Sequence, residues 1–245
     1  MVDIHCHYLY GVDDGPDVIE DTILMMEEAS KQGITDIIMT PHYRRGMFYY
    51  HTEDVEKNFA AVRQLSSQYG VTVYLGCEYH VNSDIVANLD RHRVHTLGDS
   101  PYVLTEYKTD SEPSYIRAMS REVVSAGYIP IIAHVERYEK LYRDINIFAE
   151  LRDLGAMIQV NADALLGHDG FSAKKFTRNL VKRRLVDFVA SDAHDMKKRG
   201  IHMAEAYKLV SKKFGEEMAK RIFVHNGHEI IRSAVTLGES YDEQY

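Results

Sequence analysis

Cysteine and proline are scarce in this sequence and tryptophan is absent: the 245 residues include two cysteines, five prolines and no tryptophan. The two cysteines, Cys6 and Cys77, are too few for a disulfide framework. This excludes the small disulfide-stabilised secreted folds and fits a protein that works in a reducing compartment.

Long apolar runs and a surplus of positive charge are missing as well. No apolar stretch reaches the roughly 18 residues of a membrane span, and the N-terminus lacks the basic, apolar and small-residue segments of a signal peptide. We therefore expect a cytoplasmic protein without membrane insertion. Lysine and arginine number 29 against 37 aspartates and glutamates, and the net charge of −8 argues against a nucleic-acid partner.

Short β-branched runs alternate along the chain with amphipathic helical patterns. Strands are predicted over residues 2–5, 35–40, 71–76, 102–105, 129–133, 157–160 and 186–190. Helices are predicted over 17–31, 52–69, 113–126, 145–154 and 173–184, with further helix after residue 201. Thr52 and Ser172 are the expected N-caps of two of them. Strands separated by helical crossovers indicate a parallel sheet with helices outside it, either a barrel or a doubly wound sheet.

The first strand ends in two histidines, His5 and His7, that are one residue apart. Side chains in a strand alternate between its faces, so both imidazoles point the same way and can reach one metal ion. The alternative for such a pair is two ordinary core or surface histidines.

Side chains of metal-binding types also follow the later strands, namely His42, Glu78, Glu106, His134, Asn161, Asp192 and His194. In (β/α) barrels the site is built where the C-terminal ends of several strands converge on one mouth. This pattern favours the barrel. We predict one α/β domain over residues 1–245, a distorted seven-stranded (β/α)7 TIM-like barrel with its site at those strand ends and an irregular tail from residue 240.

Asp14, in the acidic loop at 11–16, brings the candidate metal ligands to nine: His5, His7, Asp14, His42, Glu78, Glu106, His134, Asp192 and His194. These are too many for one tetrahedral ion and enough for two or three ions that share bridging carboxylates. Nitrogen and oxygen ligands without thiolate admit manganese, iron, zinc or magnesium. Cys6 and Cys77 each neighbour an inward ligand in sequence, so both are expected to be buried thiols that face away from the site.

Two arginines lie close to these ligands in sequence: Arg137 follows His134 by three residues, and Arg199 follows His194 by five. A guanidinium beside metal ions suits a phosphate group, because its bidentate hydrogen bonds match the phosphate oxygens and neutralise charge in the transition state. The alternative is that each is a solvated or ion-paired surface arginine.

Seven motifs in this order resemble one known superfamily. They are DIHCH at residues 3–7, GVDDGP at 11–16, TPH at 40–42, GCE at 76–78, HVERY at 134–138, QVN at 159–161 and SDAH at 191–194. Together they resemble the PHP (polymerase and histidinol phosphatase) superfamily. Within it they are most similar to the bacterial manganese-dependent tyrosine-protein phosphatases encoded with capsule and exopolysaccharide genes, over residues 2–235.

The resemblance implies the PHP barrel with three divalent ions, manganese being the expected metal and zinc, iron or magnesium the alternatives. The implied ligand sets are His5, His7, Glu78 and Asp192 for one ion, Glu78, Glu106 and His134 for a second, and Asp14, His42 and His194 for a third. Arg137 and Arg199 match the phosphate-binding arginines of the family. With Asp192 and His194, they are the expected catalytic residues.

The expected activity is that of a metal-dependent phosphomonoester hydrolase, a protein-tyrosine phosphatase acting on a tyrosine autokinase that controls capsular or extracellular polysaccharide synthesis. A metal-bridged hydroxide would attack phosphorus in line, without a phosphoenzyme. A cysteine-nucleophile phosphatase needs an arginine six residues after its cysteine, and those positions hold Val12 and Ser83.

Other functions remain open at this point. A small-molecule phosphatase for histidinol phosphate or a sugar phosphate would use the same metal ligands. A metal-dependent nuclease is disfavoured by the net charge, and a non-catalytic regulatory module would tolerate lost ligands, whereas none is lost. The loop at 43–50 is either the mouth for an aromatic phosphoester or a solvated loop with packing tyrosines. The C-terminal Tyr241 and Tyr245 are either a substrate-like tail or a frayed end.

Overall fold

The computed structural model describes residues 1–48 and 50–242, with side chains described as far as residue 234. Nine strands lie in these residues: β1 (Val2–Cys6), β2 (Asp36–Met39), β3 (His42–Tyr43), β4 (Thr72–Leu75), β5 (Glu78–His80), β6 (Tyr102–Glu106), β7 (Ile129–Ile132), β8 (Met157–Asn161) and β9 (Phe188–Ala190). The helices of the same residues are α1 (Ile19–Lys31), α2 (Thr52–Ser66), α3 (Ile85–Asp90), α4 (Pro113–Ser125), α5 (Ile147–Asp153), α6 (Ala162–Leu166), α7 (Phe171–Lys182), α8 (Met203–Phe214), α9 (Glu216–Lys220) and α10 (Asn226–Asp242).

Every strand pairing in the described part of the chain is parallel, which confirms the predicted α/β class. The strands form a three-stranded sheet in the order β1-β2-β4 and a six-stranded sheet in the order β3-β5-β6-β7-β8-β9. The predicted count of seven strands is not confirmed as such. The second predicted strand, together with His42 after it, is divided into β2 and β3. The third predicted strand, together with Glu78 after it, is divided into β4 and β5.

Backbone hydrogen bonds continue across the breaks between these short strands. At the first break, Pro41 has no N–H to donate, but its carbonyl accepts from Glu78 N at 3.2 Å. At the second, Gly76 N donates to Met39 O at 2.8 Å. The outer strands also meet beyond the ends of the regular pairing: Asp192 N donates to His5 O, and His7 N to Ala193 O, both at 2.9 Å. The two sheets are therefore joined at both of their junctions.

The inner surface of the curved sheets is lined by an apolar cluster to which α10 contributes Ile230. Its buried members are Val2, Ile4, Ile38, Leu97, Leu104, Ile131, Ala133, Phe188, Ala190 and Ile230. On β6, β7 and β9 the members alternate with residues that pack outward against the helices, as the pleat of a strand requires.

The strand β1 departs from this alternation. Val2 and Ile4 belong to the inner cluster, whereas the next inward side chains are His5 and His7. The pairing of β1 with β2 shows a register shift between Asp3 and Cys6. A bulge of this kind inserts one extra residue and reverses the facing of those that follow. Ile4 and His5 can therefore both face inward.

Several element boundaries differ from the predicted ones. The N-cap positions of α2 and α7 are His51 and Gly170, so Thr52 and Ser172 are not caps but lie in the first turn of each helix. Thr52 Oγ1 instead donates to Arg93 O at 3.3 Å. An irregular tail was predicted from residue 240, but the last helix, α10, continues to Asp242. The side chain of Tyr241 and the whole of Tyr245 lie outside the described residues.

In the described residues, no helix combines the length and the apolar character needed to cross a membrane.

Candidate metal centre

The ends of the strands bring all nine predicted ligands to one place. His5 lies in β1 and His7 directly after it. The strands β3, β5 and β6 carry His42, Glu78 and Glu106. The turns after β7 and β9 carry His134, Asp192 and His194, and the first loop carries Asp14. Eight of the nine are buried, and Asp14 is 44% exposed. The structure thus places the nine candidate ligands together at the C-terminal strand ends.

One oxygen of Glu78 and one oxygen of Asp192 each lie close to both His5 and His7. His5 Nε2 is 3.4 Å from His7 Nε2, 3.4 Å from Glu78 Oε2 and 3.4 Å from Asp192 Oδ1. His7 Nε2 is 3.3 Å from the same Glu78 oxygen and 3.5 Å from the same Asp192 oxygen. An ion held about 2.1 Å from four tetrahedral ligands separates neighbouring ligand atoms by about 3.4 Å. The five measured separations match this value, and the four side chains are the first set implied by the resemblance.

The remaining ligands form groups that overlap with these four residues. Asp14 Oδ1 lies 3.2 Å from His194 Nε2 and 3.5 Å from His42 Nε2, in agreement with the implied third set. His134 Nε2 lies 2.7 Å from Glu78 Oε1 but 4.0 Å from Glu106 Oε1. Glu78 and Glu106 also group with His42, and His134 with His5 and Asp192. Glu78 is thus close to four histidines, which suits a carboxylate shared between ions.

Several buried polar atoms of the cluster have no hydrogen-bond partner among the described residues. They include Glu78 Oε2, His42 Nδ1 and His194 Nε2. Glu78 Oε2 lies 2.9 Å from His42 Nδ1, yet the pair does not form a hydrogen bond. A buried polar group without a partner is costly. Coordination to a metal ion is the interaction that these atoms are placed to make.

Protein acceptors fix the orientation of three of the ligand imidazoles. His7 Nδ1 lies 2.7 Å from Asp13 Oδ2, His5 Nδ1 lies 3.2 Å from Gln159 Oε1, and His194 Nδ1 lies 2.9 Å from the carbonyl of Asp192. A proton on Nδ1 leaves the Nε2 lone pair free for a metal ion. The rings are therefore held in the tautomer that a metal site requires.

A chain of amide groups connects the ligands on β1, β7 and β9 through β8. Gln159 Oε1 accepts from His134 N at 2.7 Å, and Gln159 Nε2 donates to Asn161 Oδ1 at 2.8 Å. Asn161 Nδ2 then donates to Asp192 Oδ2 at 2.9 Å. Asn161, predicted as a polar strand end, thus positions a ligand carboxylate.

Two of the ligands have left-handed backbone conformations, which are uncommon outside glycine: φ is +33° at His134 and +52° at Asp192. His134 lies two residues after the end of β7, and Asp192 lies two residues after the end of β9. Backbone strain of this kind persists where the surrounding contacts determine it, and here it turns two side chains into the cluster.

The charges of the cluster support one another electrostatically. Burial opposes ionisation of Glu78, but His5, His42 and His134 outweigh it and hold the pKa of that carboxyl well below its usual range. Burial likewise opposes the charge on Asp192, and Arg137 and His5 lower its pKa all the same. Without a metal ion, Asp13 and Glu78 outweigh burial and raise the pKa of His7 to about 10, so a metal ion that binds Nε2 would displace a proton from this ring. The carboxylates are therefore ionised at neutral pH, ready to attract cations.

Both predicted arginines reach the cluster and converge on Asp192. Arg137 Nη2 donates to Asp192 Oδ2 at 2.5 Å, and Arg199 Nη2 lies 3.2 Å from both oxygens of the same carboxylate. Arg199 Nη1 also approaches Asp14 Oδ2 at 3.4 Å. Their side chains are 38% and 37% exposed, so both guanidinium groups border the solvent side of the cluster.

The sequence interpretation missed three residues that serve the cluster: Asp13, Gln159 and His80. His80 Nδ1 lies 2.8 Å from Glu106 Oε2. Its position two residues after Glu78 on β5 is the same signal that identified His5 and His7. Asp13 and Gln159 stand in the motifs at 11–16 and 159–161, but their hydrogen bonds depend on the tertiary structure.

The loop at 43–50 packs against the protein in its described residues. The Tyr43 ring stacks on Tyr79 at 4.8 Å between centroids and meets the Tyr50 ring edge-on at 5.7 Å, and Phe48 stacks on the ligand His42 at 4.9 Å. Tyr49 lies outside the described residues. This loop was expected to be either the mouth for an aromatic phosphoester or a solvated loop with packing tyrosines. Tyr43 and Tyr50 are packing residues, and Phe48 borders the metal cluster. Cys6 and Cys77 are buried free thiols, as predicted.

Comparison with solved structures finds a close match among metal-dependent enzymes. A structure described as that of YwqE from Bacillus subtilis and CpsB from Streptococcus pneumoniae, unique metal-dependent tyrosine phosphatases, superposes with a TM-score of 0.86, 32% identity and 95% of each chain covered. A histidinol phosphate phosphatase from Lactococcus lactis matches with a TM-score of 0.59 at 14% identity, a likeness of fold alone.

Comparison with curated sequences gives the same answer. The tyrosine-protein phosphatase CpsB of Streptococcus pneumoniae is 33% identical over 238 residues, covering 94% of this chain and 98% of that protein. The tyrosine-protein phosphatase YwqE of Bacillus subtilis (strain 168) is 34% identical over 227 residues, covering 89% and 87%. The profile of the family described as "Capsular polysaccharide synthesis, CpsB/CapC" matches residues 1–232, and the chain belongs to that family.

Proposed function

We propose that this chain is a metal-dependent protein-tyrosine phosphatase that hydrolyses phosphotyrosine on a bacterial tyrosine autokinase controlling capsular or extracellular polysaccharide synthesis. The observation that carries the proposal is that His5 Nε2 and His7 Nε2 both lie within 3.5 Å of a Glu78 oxygen and of an Asp192 oxygen, with two arginines on the same Asp192 carboxylate. The names of the relatives support the tyrosyl substrate. The two buried free thiols are consistent with a cytoplasmic setting.

We assign the nine ligands to three divalent ions, with manganese as the expected metal. His5, His7, Glu78 and Asp192 would hold the first, Glu78, Glu106 and His134 the second, and Asp14, His42 and His194 the third. Bound ions of this kind lower the pKa of water into the neutral range and neutralise phosphate charge.

The arginines bind and orient the phosphate group in this proposal. Arg137 uses Nη2 for its contact with Asp192, which leaves its other guanidinium N–H groups for phosphate oxygens. Asp192 fixes both guanidinium groups before substrate arrives, so little side-chain entropy is lost on binding. Their positive charge is placed to stabilise the equatorial oxygens of the transition state. Neither buried cysteine takes part.

A groove of about 590 Å³ leads to the cluster at Asp14 and His194. Its apolar lining includes Pro16, Leu24 and Met196, which suits the ring of a phosphotyrosine.

We also propose that the two sheets act as one distorted seven-stranded barrel within a single domain, residues 1–245. Counting β2 with β3 and β4 with β5 as interrupted strands gives seven, and the hydrogen bonds between the segment at His5 and His7 and the segment at Asp192 and Ala193 link the first to the last. A single cooperative unfolding transition by calorimetry would be expected of one such domain.

Phosphate release by metal-stripped protein, with and without added Mn²⁺, tests the activity. The substrates are a phosphotyrosine peptide, the matched phosphoserine peptide and histidinol phosphate. We expect Mn²⁺-dependent turnover that favours phosphotyrosine, is abolished in His42→Ala and falls about 100-fold or more in Arg137→Ala. Arg143→Ala, an exposed arginine nearby, is the control and should keep the wild-type rate.

The outcomes separate the parts of the proposal. Preference for histidinol phosphate would overturn the protein substrate and leave the metal centre in place. Equal activity with and without metal, or full activity of His42→Ala, would contradict the metal-dependent mechanism.

A further inference from the structure

A second group of metal-binding side chains lies outside the nine ligands of the metal centre. It consists of Asp163, His168 and His202, and we call it the rim cluster. His168 Nδ1 lies 2.9 Å and His202 Nδ1 lies 2.6 Å from the same oxygen, Oδ1 of Asp163. The two imidazole rings meet edge-on with their centroids 4.8 Å apart. Both histidines therefore aim the same ring nitrogen at one carboxylate.

We propose that the rim cluster is a separate binding site for one divalent transition-metal ion of the zinc class. Two imidazole nitrogens and a carboxylate oxygen are the ligand types that zinc takes in sites with three protein ligands and an open position for water. The three side chains share no ligand with the metal centre.

The separations between the ligand atoms suit an ion after a small adjustment. Tetrahedral zinc with ligands at about 2.1 Å needs neighbouring ligand atoms about 3.4 Å apart. The two distances to Asp163 Oδ1 are shorter than this by less than one ångström, so the imidazoles need only move slightly outward. They are free to do so because His168 and His202 are 47% and 37% exposed. The same exposure gives an ion a route in and leaves room for a water ligand.

The backbone organises two of the three ligands in advance. Asp163 lies in the first turn of α6, which ends at Gly167 with φ of +105°. The N–H groups of Gly167 and His168 both donate to Asp163 O, at 2.8 and 3.0 Å. This left-handed helix end turns His168 back over Asp163. His202 approaches from the segment before α8, so an ion would join two parts of the chain.

The local charge favours a cation at this place. Asp169 follows His168 directly, and its carboxyl group interacts electrostatically with that of Asp163. Two carboxyl groups thus repel each other beside two imidazoles, and a bound cation would relieve that repulsion.

An ion in the rim cluster would also tether part of the metal centre. His202 follows Arg199 by three residues, and the segment between Asp195 and His202 carries that arginine to Asp192. Fixing His202 to α6 restricts this segment at its end. The expected effect is slower amide exchange over residues 195–202 when the site is filled.

Zinc stoichiometry tests the proposal directly. Metal-stripped wild type, His168→Gln, His202→Gln and Asp163→Asn are dialysed against buffered Zn²⁺, and bound zinc is counted by mass spectrometry. We expect each variant to bind one zinc ion fewer than wild type. Asp163→Asn keeps the size of the side chain and removes its charge. The control is His225→Gln, an exposed histidine on another face, which should bind as many ions as wild type.

Two further measurements distinguish a separate site from damage to the protein. The Mn²⁺-loaded variants should keep the wild-type phosphatase rate, and their circular dichroism without metal should match that of wild type. Hydrogen exchange over residues 195–202 should slow on zinc addition in wild type and not in His168→Gln. Equal zinc counts in wild type and all three variants would overturn the proposal. Loss of more than one zinc ion together with loss of phosphatase activity would also overturn it, because the rim cluster would then belong to the metal centre.

Discussion

At the scale of single residues, Asp13 shows how much of the metal centre depends on side chains that are not ligands. Its Oδ2 atom contacts His7 Nδ1 at 2.7 Å and accepts from His42 N at 3.0 Å, while Oδ1 accepts from Gly15 N at 3.0 Å. One carboxylate thus orients two ligand residues and the loop that carries Asp14. Outer partners of this kind are worth nearly as much as ligands to a metal site.

Replacing Asp13 tests this role. We expect Asp13→Ala to raise the Mn²⁺ concentration needed for half-maximal activity about 10- to 100-fold, because the His7 ring loses the acceptor that fixes its tautomer. Titration of the stripped protein with Mn²⁺ measures the change. Asp17→Ala, an exposed carboxylate of the same loop, should match wild type, and equal Mn²⁺ requirements for the two variants would refute the role of Asp13.

His95, remote from the metal centre, controls a part of the pH dependence of stability. Burial lowers its pKa, opposed by the charge of Glu56. A histidine whose pKa is lower in the folded state takes up its proton more readily when unfolded. The stability that the neutral His95 ring contributes is therefore fully present above pH 6.5. It is lost as the pH falls below 6.5 toward the lower pKa that His95 has in the folded protein.

We accordingly expect His95→Gln to lose less thermal stability than wild type between pH 7.5 and pH 5.5. The difference should amount to about 2–4 °C in Tm for each kcal/mol recovered. Calorimetry of the metal-stripped proteins measures it, and His225→Gln serves as the control. An identical pH dependence in His95→Gln and wild type would show that His95 takes up its proton equally in both states.

At the scale of elements, the break between β4 and β5 places Glu78 where it can serve several histidines. Gly76 stands in this break. A β-carbon there would lie 2.8 Å from Leu97 Cδ2, 3.1 Å from Ile38 Cγ2 and 3.3 Å from Thr40 Cγ2. The strand passes this close to its neighbour only because the residue has no side chain.

Gly76→Ala should therefore lower the free energy of unfolding by about 1–3 kcal/mol, the usual cost of overpacking a core. Urea denaturation measures the change, and activity should fall with it because Glu78 follows two residues later. The control is Gly200→Ala, whose new β-carbon would meet its nearest neighbour at an ordinary 3.5 Å. Wild-type stability in Gly76→Ala would show that Leu97 and Ile38 can give way.

The elements also show how far the sequence could predict the structure. All seven predicted strands end within one residue of the end of an observed strand, and the nine candidate ligands lie in one cluster, because strand-end polarity and the HxH spacing are local signals. Local patterns do not reveal the bulge in β1 that lets Ile4 and His5 share a face, which depends on pairing with β2. The short β5 and α3 were missed because the stretch between Glu78 and Tyr102 has neither a clear period nor length. The rim cluster joins residues from two distant segments, so no single motif contains it.

At the scale of the whole molecule, the metal centre concentrates four carboxylates and five imidazoles in one largely buried cluster. Without cations, the arginines and histidines are the partners of those carboxylates. Ions that bind the folded chain and not the unfolded chain stabilise it in proportion to the logarithm of their concentration over the dissociation constant.

We expect added Mn²⁺ to raise the Tm of stripped protein by about 10 °C, the equivalent of about 4 kcal/mol when the metal exceeds its dissociation constant 1,000-fold. Differential scanning calorimetry with and without Mn²⁺ gives the shift. His42→Ala should retain only part of it because its remaining ligands still hold some metal. A Tm that does not respond to Mn²⁺ would argue against any high-affinity site.

The hydrogen bonds from Asp192 N to His5 O and from His7 N to Ala193 O have a consequence for biosynthesis. His5 and His7 leave the ribosome long before Asp192 and Arg199, which lie far later in the chain. Contacts between segments so far apart in the chain are entropically expensive and form late in folding. A nascent chain that still lacks β9 also lacks Asp192, His194 and Arg199, so the candidate metal centre assembles only after β9 and the segment that follows it have been synthesised.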